Sequence, residues 1–123
     1  MAAACTTSIM VDVSDLGENP PFAHKSSITA TPTKPVSLRQ IQAVANTDEA
    51  VNLGGVSTVE RLSIICVSND VDVDLNYSSS FSADFTIPEG ESISITKPVG
   101  TTRIKNNDSD EAVTIDVHIV GSA

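Results

Sequence analysis

The sequence predicts an all-β protein. Residues 36–123 read as a single antiparallel β-sandwich of jelly-roll or immunoglobulin-like type, and residues 1–35 as an extended N-terminal arm or edge-strand segment. Three observations carry this reading. Apolar and polar residues alternate with a period of two from about residue 36 to the C-terminus, the pattern of half-buried strands. Turn-forming clusters break the alternation at roughly ten-residue intervals, which suits a sandwich better than any βαβ arrangement. The composition is rich in Val, Ile, Thr and Ser, with aromatics at only 3% and no Trp, a vocabulary suited to packed sheets.

Taken in order, "SIMVDV" (8–13) and "SSITAT" (26–31) can each supply a short strand, separated by the Pro-rich "GENPPFAHK" (17–25). "TPTKP" (31–35) marks a boundary before the regular sheet, so this segment either completes the sandwich or forms an arm lying on another subunit. "VSLRQIQAVA" (36–45) is ambiguous. Leu38, Ile41 and Val44 have helical spacing, but Pro35 and the β-branched context favour a strand. "VERLSIICV" (59–67) is apolar on both faces and is expected to be a central strand covered on both sides, or one facing a partner subunit.

"NDVDVDLNY" (69–77) fits the strand template, with Asp70, Asp72 and Asp74 on one face. "FSADFTI" (81–87) and "ESISIT" (91–96) are expected to form a hairpin around Pro88 and Gly90. "AVTIDVHIV" (112–120) sets Val113, Ile115, Val117 and Ile119 against Thr114, Asp116 and His118.

Length and charge bound the function. At 123 residues one compact domain is expected, large enough to hold a core without staples. Sixteen acidic against seven basic residues give a net charge of −9, which opposes binding to phosphate backbones, and no basic cluster offsets it. No apolar run approaches the roughly 20 residues of a bilayer crossing, so no membrane association is expected. The opening "MAAACTTSIMVDVSD" lacks a basic n-region and is not expected to act as a secretory leader. "NYS" (76–78) and "NDS" (107–109) then read as chance glycosylation matches. Cys66 reads as a small buried hydrophobe, and it and Cys5 are expected to stay reduced, with a disulfide between them as the alternative.

Candidate chemistry is sparse. Counted as a calcium loop from Asp70, position six is Leu75 where Gly is needed and position twelve is Phe81 where Glu is needed. The aspartates therefore read as a solvated strand face that discourages edge pairing, with Ca²⁺ bridging to a neighbouring chain as the alternative. "NNDSDE" (106–111) reads as a hairpin tip, with the same alternative. His24 and His118 are too few for most zinc sites. His118, two residues from Asp116, has no accompanying nucleophile elbow. There is no phosphate loop and no C-x-x-C. No catalytic, metal or cofactor residue is assigned, and an enzyme is not expected.

Residues 43–121 carry an acidic "TDEAVNLGG" entry, a central strand, a strand of alternating Asp, "IPEGESISI" and a terminal "VTIDVHIVG". This plan resembles small β-sandwich virion proteins of tailed bacteriophages, of the capsid decoration (cement) and fibre-base kind. It covers about two thirds of the chain. The resemblance implies a structural protein on the outer capsid surface of the virion, made in the bacterial host cytoplasm. It implies the major capsid protein or other virion proteins as partners, a homo-oligomer with a trimer favoured, and an arm that clips neighbouring subunits. Ile9, Val11, Pro20, Pro21, Phe22 and His24 of the N-terminal segment are the candidate interface residues. Another virion or surface module is the alternative: a tail, fibre or vertex adaptor, or an adhesin. The single Tyr77 and absent Trp weigh against sugar binding.

Overall fold

The computed structural model describes residues 3–11, 22–30, 34–42, 47–107 and 111–122. These form ten strands: β1 (Ala3–Val11), β2 (Phe22–Ala30), β3 (Lys34–Gln42), β4 (Glu49–Ala50), β5 (Thr58–Ser68), β6 (Val71–Tyr77), β7 (Phe85–Ile87), β8 (Ser92–Thr96), β9 (Thr101–Asn106) and β10 (Val113–Ser122). No helix occurs among the described residues, and so none long and apolar enough to cross a membrane.

Strands β3 to β10 build two four-stranded antiparallel sheets, in the orders β3-β10-β5-β8 and β4-β9-β6-β7. Counting these eight strands from one, the sheets read 1-8-3-6 and 2-7-4-5, the interleaving of a jelly roll rather than of an immunoglobulin domain. From β3 onward the chain changes sheet at nearly every connection, and within the two four-stranded sheets only β6 and β7 are both consecutive and paired. Period-two alternation fills the space between the sheets. Leu62, Ile64 and Cys66 of β5 and Val113, Ile115, Val117 and Ile119 of β10 meet Val71, Val73, Ile87 and Ile104 of the facing sheet. Each such side chain contributes about 1.5–3 kcal/mol by leaving water. Where β5 and β10 draw closest, a Cβ on Gly121 would strike the carbonyl oxygen of Thr58, so only glycine fits there.

Several expectations are corrected. "IPEGES" does turn, with Glu91 N donating to Pro88 O at 3.0 Å and Gly90 at φ 86°. It does not close a hairpin, because β7 pairs with β6 while β8 pairs with β5 in the other sheet. Gly90 N donating to Cys66 O at 2.8 Å anchors this crossing. "FSADFTI" is strand only from Phe85 onward. Ahead of it, carboxylates hold the backbone in a loop: Asp74 accepts from Asn76 N and Ser82 N, and Asp84 from Leu75 N.

β5 is central in its sheet, fully covered on one face and partly covered on the other. Ile65 and Val67 remain 37% and 39% exposed on the other. The ambiguous 36–45 stretch is strand through Gln42, with Val36 and Leu38 packed on the core and Ile41 outward. As an edge strand β3 tolerates Pro35, which cannot donate to a ladder.

The N-terminal segment adds no strand to either sheet. β1 and β2 pair with each other along their whole nine-residue length, Ala3 opposite Ala30 and Val11 opposite Phe22. This hairpin lies against the outer face of the β3-β10-β5-β8 sheet, where Arg61 Nη2 donates to Ser26 Oγ at 3.4 Å.

Candidate functional site

The aspartate row resolves into three separate structural tasks. Asp70 lies outside the strand and accepts from Glu89 N at 3.0 Å, pinning the β7–β8 crossing. Asp72 accepts from Thr86 Oγ1 at 2.6 Å and Asn107 Nδ2 at 2.7 Å, tying β6 to its neighbours on either side. Asp74 is 4% exposed and spends its carboxylate on Asn76 N and Ser82 N. The expected uniform acidic face therefore does not form. A bulge between Asp74 and Tyr77 breaks the alternation, backbone amides capture Asp70 and Asp74, and side-chain donors capture Asp72. Among the described residues no three His, Cys, Asp or Glu side chains converge on a common point. Of "NNDSDE", residues 108–110 lie outside the described residues; the stretch is not a hairpin tip, because β9 and β10 belong to different sheets, and Asn106 Nδ2 donates to Glu111 O at 2.8 Å.

On the outer face of β3 and β10, His118 Nδ1 shares a 2.8 Å hydrogen bond with Ser37 Oγ, and Arg39 Nε donates to Asp116 at 2.8 Å. Serine, histidine and aspartate thus lie near one another, but Arg39 engages both Asp116 oxygens at 2.8 and 3.2 Å. The result is a cross-strand ladder on an open face. The Arg39 hydrogen bond holds Asp116 below its ordinary value, against a smaller desolvation penalty, and the charges of Arg39 and His118 add to the lowering. Arg39 is raised in return by the same bond.

Cys66 is fully buried, and burial pushes its thiol up to about 11, helped by the charges of Asp70 and Glu89. It stays protonated and is no nucleophile at neutral pH. Cys5 is likewise free. Tyr77 lies beneath the Arg103 guanidinium, 4.6 Å from its centre, and Arg103 is fixed in turn by Asp48. That stacking removes the one tyrosine from duty as a sugar platform.

The remaining distinctive surface is the hairpin. Of the candidate interface residues, Ile9 and His24 are direct cross-strand partners, as are Val11 and Phe22. Pro20 and Pro21 lie outside the described residues. Ile9 is 49% exposed and His24 is exposed, and together they line a shallow 290 Å³ depression. Met10, which the alternation argument passed over, is 74% exposed. A second groove of 460 Å³ runs between Thr7–Met10 and the outer side chains of β5 and β8, among them Ser63 and Ile65. The signal for these outer residues was present in the two-sided apolarity of "VERLSIICV". What could not be read was that the arm, rather than a second layer, would flank it.

No family model, no curated protein and no solved structure matches the chain.

Proposed function

We propose that this chain is a viral structural protein, a capsid decoration (cement) protein that stabilises a bacteriophage head by binding between capsomers. One observation carries the reading: a long two-stranded hairpin, with Ile9 and Met10 uncovered, attached to a jelly roll that has its own closed core. An isolated two-stranded hairpin is marginally stable in water and gains from a partner that covers it. A rigid body bearing such an arm is suited to clipping neighbouring subunits. The jelly roll, a fold widespread in viral capsid proteins, supports this at the level of fold, and the resemblance of residues 43–121 supports it at the level of pattern. The body needs no reactive centre for the task. It stabilises an assembled shell by binding the assembled state alone. The partners in this reading are the major capsid protein and further copies of the chain, as a trimer, on the outer surface of the virion.

The test is attachment to purified heads after removal of residues 1–33. The truncated protein is expected to keep its cooperative unfolding transition and to lose sedimentation with the particles. Retained attachment would overturn the arm's role. Quantitative mass spectrometry of particles is expected to give hundreds of copies (an order-of-magnitude expectation for a shell-covering protein). A handful would favour the tail, fibre or vertex adaptor instead.

A further inference from the structure

We propose that the groove between the arm hairpin and the outer face of β5 and β8 is an intersubunit socket, and that a second copy of this chain places a carboxylate there against Arg61. This rests on the reading of the protein as a homo-oligomer and names the contact that holds it together.

The argument starts in the β5–β10 ladder. Val120 pairs with Arg61 but Gly121 pairs with Val59, so β5 carries an extra residue at Glu60–Arg61. The bulge leaves Val59 and Leu62 packed with the core and sends Arg61 to the outer face, in line with Ser63 and Ile65. There Arg61 is only 6% exposed. Its Nε is buried with no hydrogen-bond partner, and its described bond, to Ser26 Oγ at 3.4 Å, is long. None of the ion pairs among the described residues includes it. A guanidinium keeps its charge at physiological pH, and burying it without an anion is among the costliest arrangements a fold can hold. Its planar fork fits one ligand above others, a carboxylate bound through two parallel N–H donors.

The groove runs beside this cation, which is not itself part of the lining. Ser63, which lines it, is the next outward residue from Arg61. Thr7, which lines the opposite wall, is the cross-strand partner of Ser26. The Arg61–Ser26 contact therefore marks the end where the two walls meet. The lips are apolar, with Ile9, Met10 and Ile65 exposed by 49%, 74% and 37%. Exposed apolar side chains rimmed by serines, beside a cation with no ion pair among the described residues, describe a protein contact. A second copy is the occupant that answers both shortages at once. With sixteen carboxylates to seven Lys and Arg, acids are what this chain has in excess, and the marginal hairpin gains the covering layer it lacks.

Sedimentation equilibrium of the full chain tests this, with Arg61→Met and Ser63→Asp as variants. The wild type is expected to associate. Arg61→Met is expected to weaken association by at least about thirtyfold, the effect of truncating one partner of a buried charge pair. Ser63→Asp supplies an acid within the chain, beside Arg61. It is expected to raise the melting temperature and dissociate the oligomer, which keeps the test decisive if Arg61→Met folds poorly. Three results would overturn the proposal. They are a wild type monomeric at about 100 µM, an Arg61→Met oligomer as tight as wild type, or a Ser63→Asp oligomer of undiminished affinity. A monomer whose binding to heads is abolished by Arg61→Met would assign the socket to the shell protein instead, refuting the second copy while leaving the decoration reading intact.

Discussion

β10 and β1 are strands of similar length with very different fates. In β10 every second side chain is apolar, and Val113, Ile115, Val117 and Ile119 are each no more than 1% exposed because a second sheet covers them. In β1, paired with β2 along its whole length, Ile9 and Met10 keep 49% and 74% of their surface in water. β10 is paired on both edges and β1 on only one, but a ladder along an edge leaves the sheet faces open, so hydrogen bonding alone does not decide their burial. The missing second layer does. A sheet face becomes a stable core when another layer removes it from water, and until then it is an offer to a partner.

That contrast is open to direct attack. The largest expected effect is in the core. Ile64→Ala should cost about 2–5 kcal/mol in urea unfolding, since a fully buried side chain leaves a cavity. Ile9→Ser in the hairpin should cost less than about 0.5 kcal/mol, as an exposed substitution does. Equal costs would mean the hairpin is part of the core. Next in size is Asp74→Ala. It strands the amides of Asn76 and Ser82 and should cost about 1–3 kcal/mol, whereas Asp72→Ala, on a more exposed site, should cost less.

Smaller effects come from pH. The folded state favours the neutral Cys66 thiol, with its value raised from 9.0 to about 11. The stability this confers is intact below pH 9.0 and declines as pH rises toward about 11. Cys66→Ala should flatten the alkaline limb of a melting-temperature profile. Asp116 behaves oppositely. Its lowered value means that its contribution is present above the ordinary carboxylate range and is lost as pH falls through the lowered value. Since the Asp116–Arg39 pair stands in solvent, comparison with Asp116→Asn in acid should show only a slight difference. The smallest effect is expected from EDTA. The Asp70, Asp72 and Asp74 carboxylates already accept from protein donors, so chelation should leave the melting temperature and the oligomer unchanged. A shift on chelation would restore Ca²⁺ as a structural ligand.

Much of the fold was legible because alternation is a local property. "AVTIDVHIV" names its own buried face, and no tertiary fact was needed to choose Val113, Ile115, Val117 and Ile119. The turn in "IPEGES" was legible for the same reason, since Pro88 and Gly90 carry their backbone preferences with them. Its destination was not. A reversal that closes a hairpin and one that crosses to the facing sheet use the same residues, and only the competing pairings of β6 with β7 and β5 with β8 separate them. Asp74 was misread because a carboxylate in a strand pattern looks solvated until a loop returns its N–H groups to it. Ile9 and His24 belong to one candidate interface set in the sequence, with no register between them. Their pairing across β1 and β2 gives them a shared surface.

By itself the sequence determined the class of structure, the inward faces of the principal strands, the acidity of the surface and the positions where the chain turns. All of these follow from side-chain periodicity and local backbone preference. The tertiary structure decided the jelly-roll order of the strands, the capture of the aspartates, the self-pairing of the N-terminal hairpin and the burial of Arg61 without an ion pair among the described residues. Each of these depends on which distant segment arrives opposite, and no local pattern encodes that.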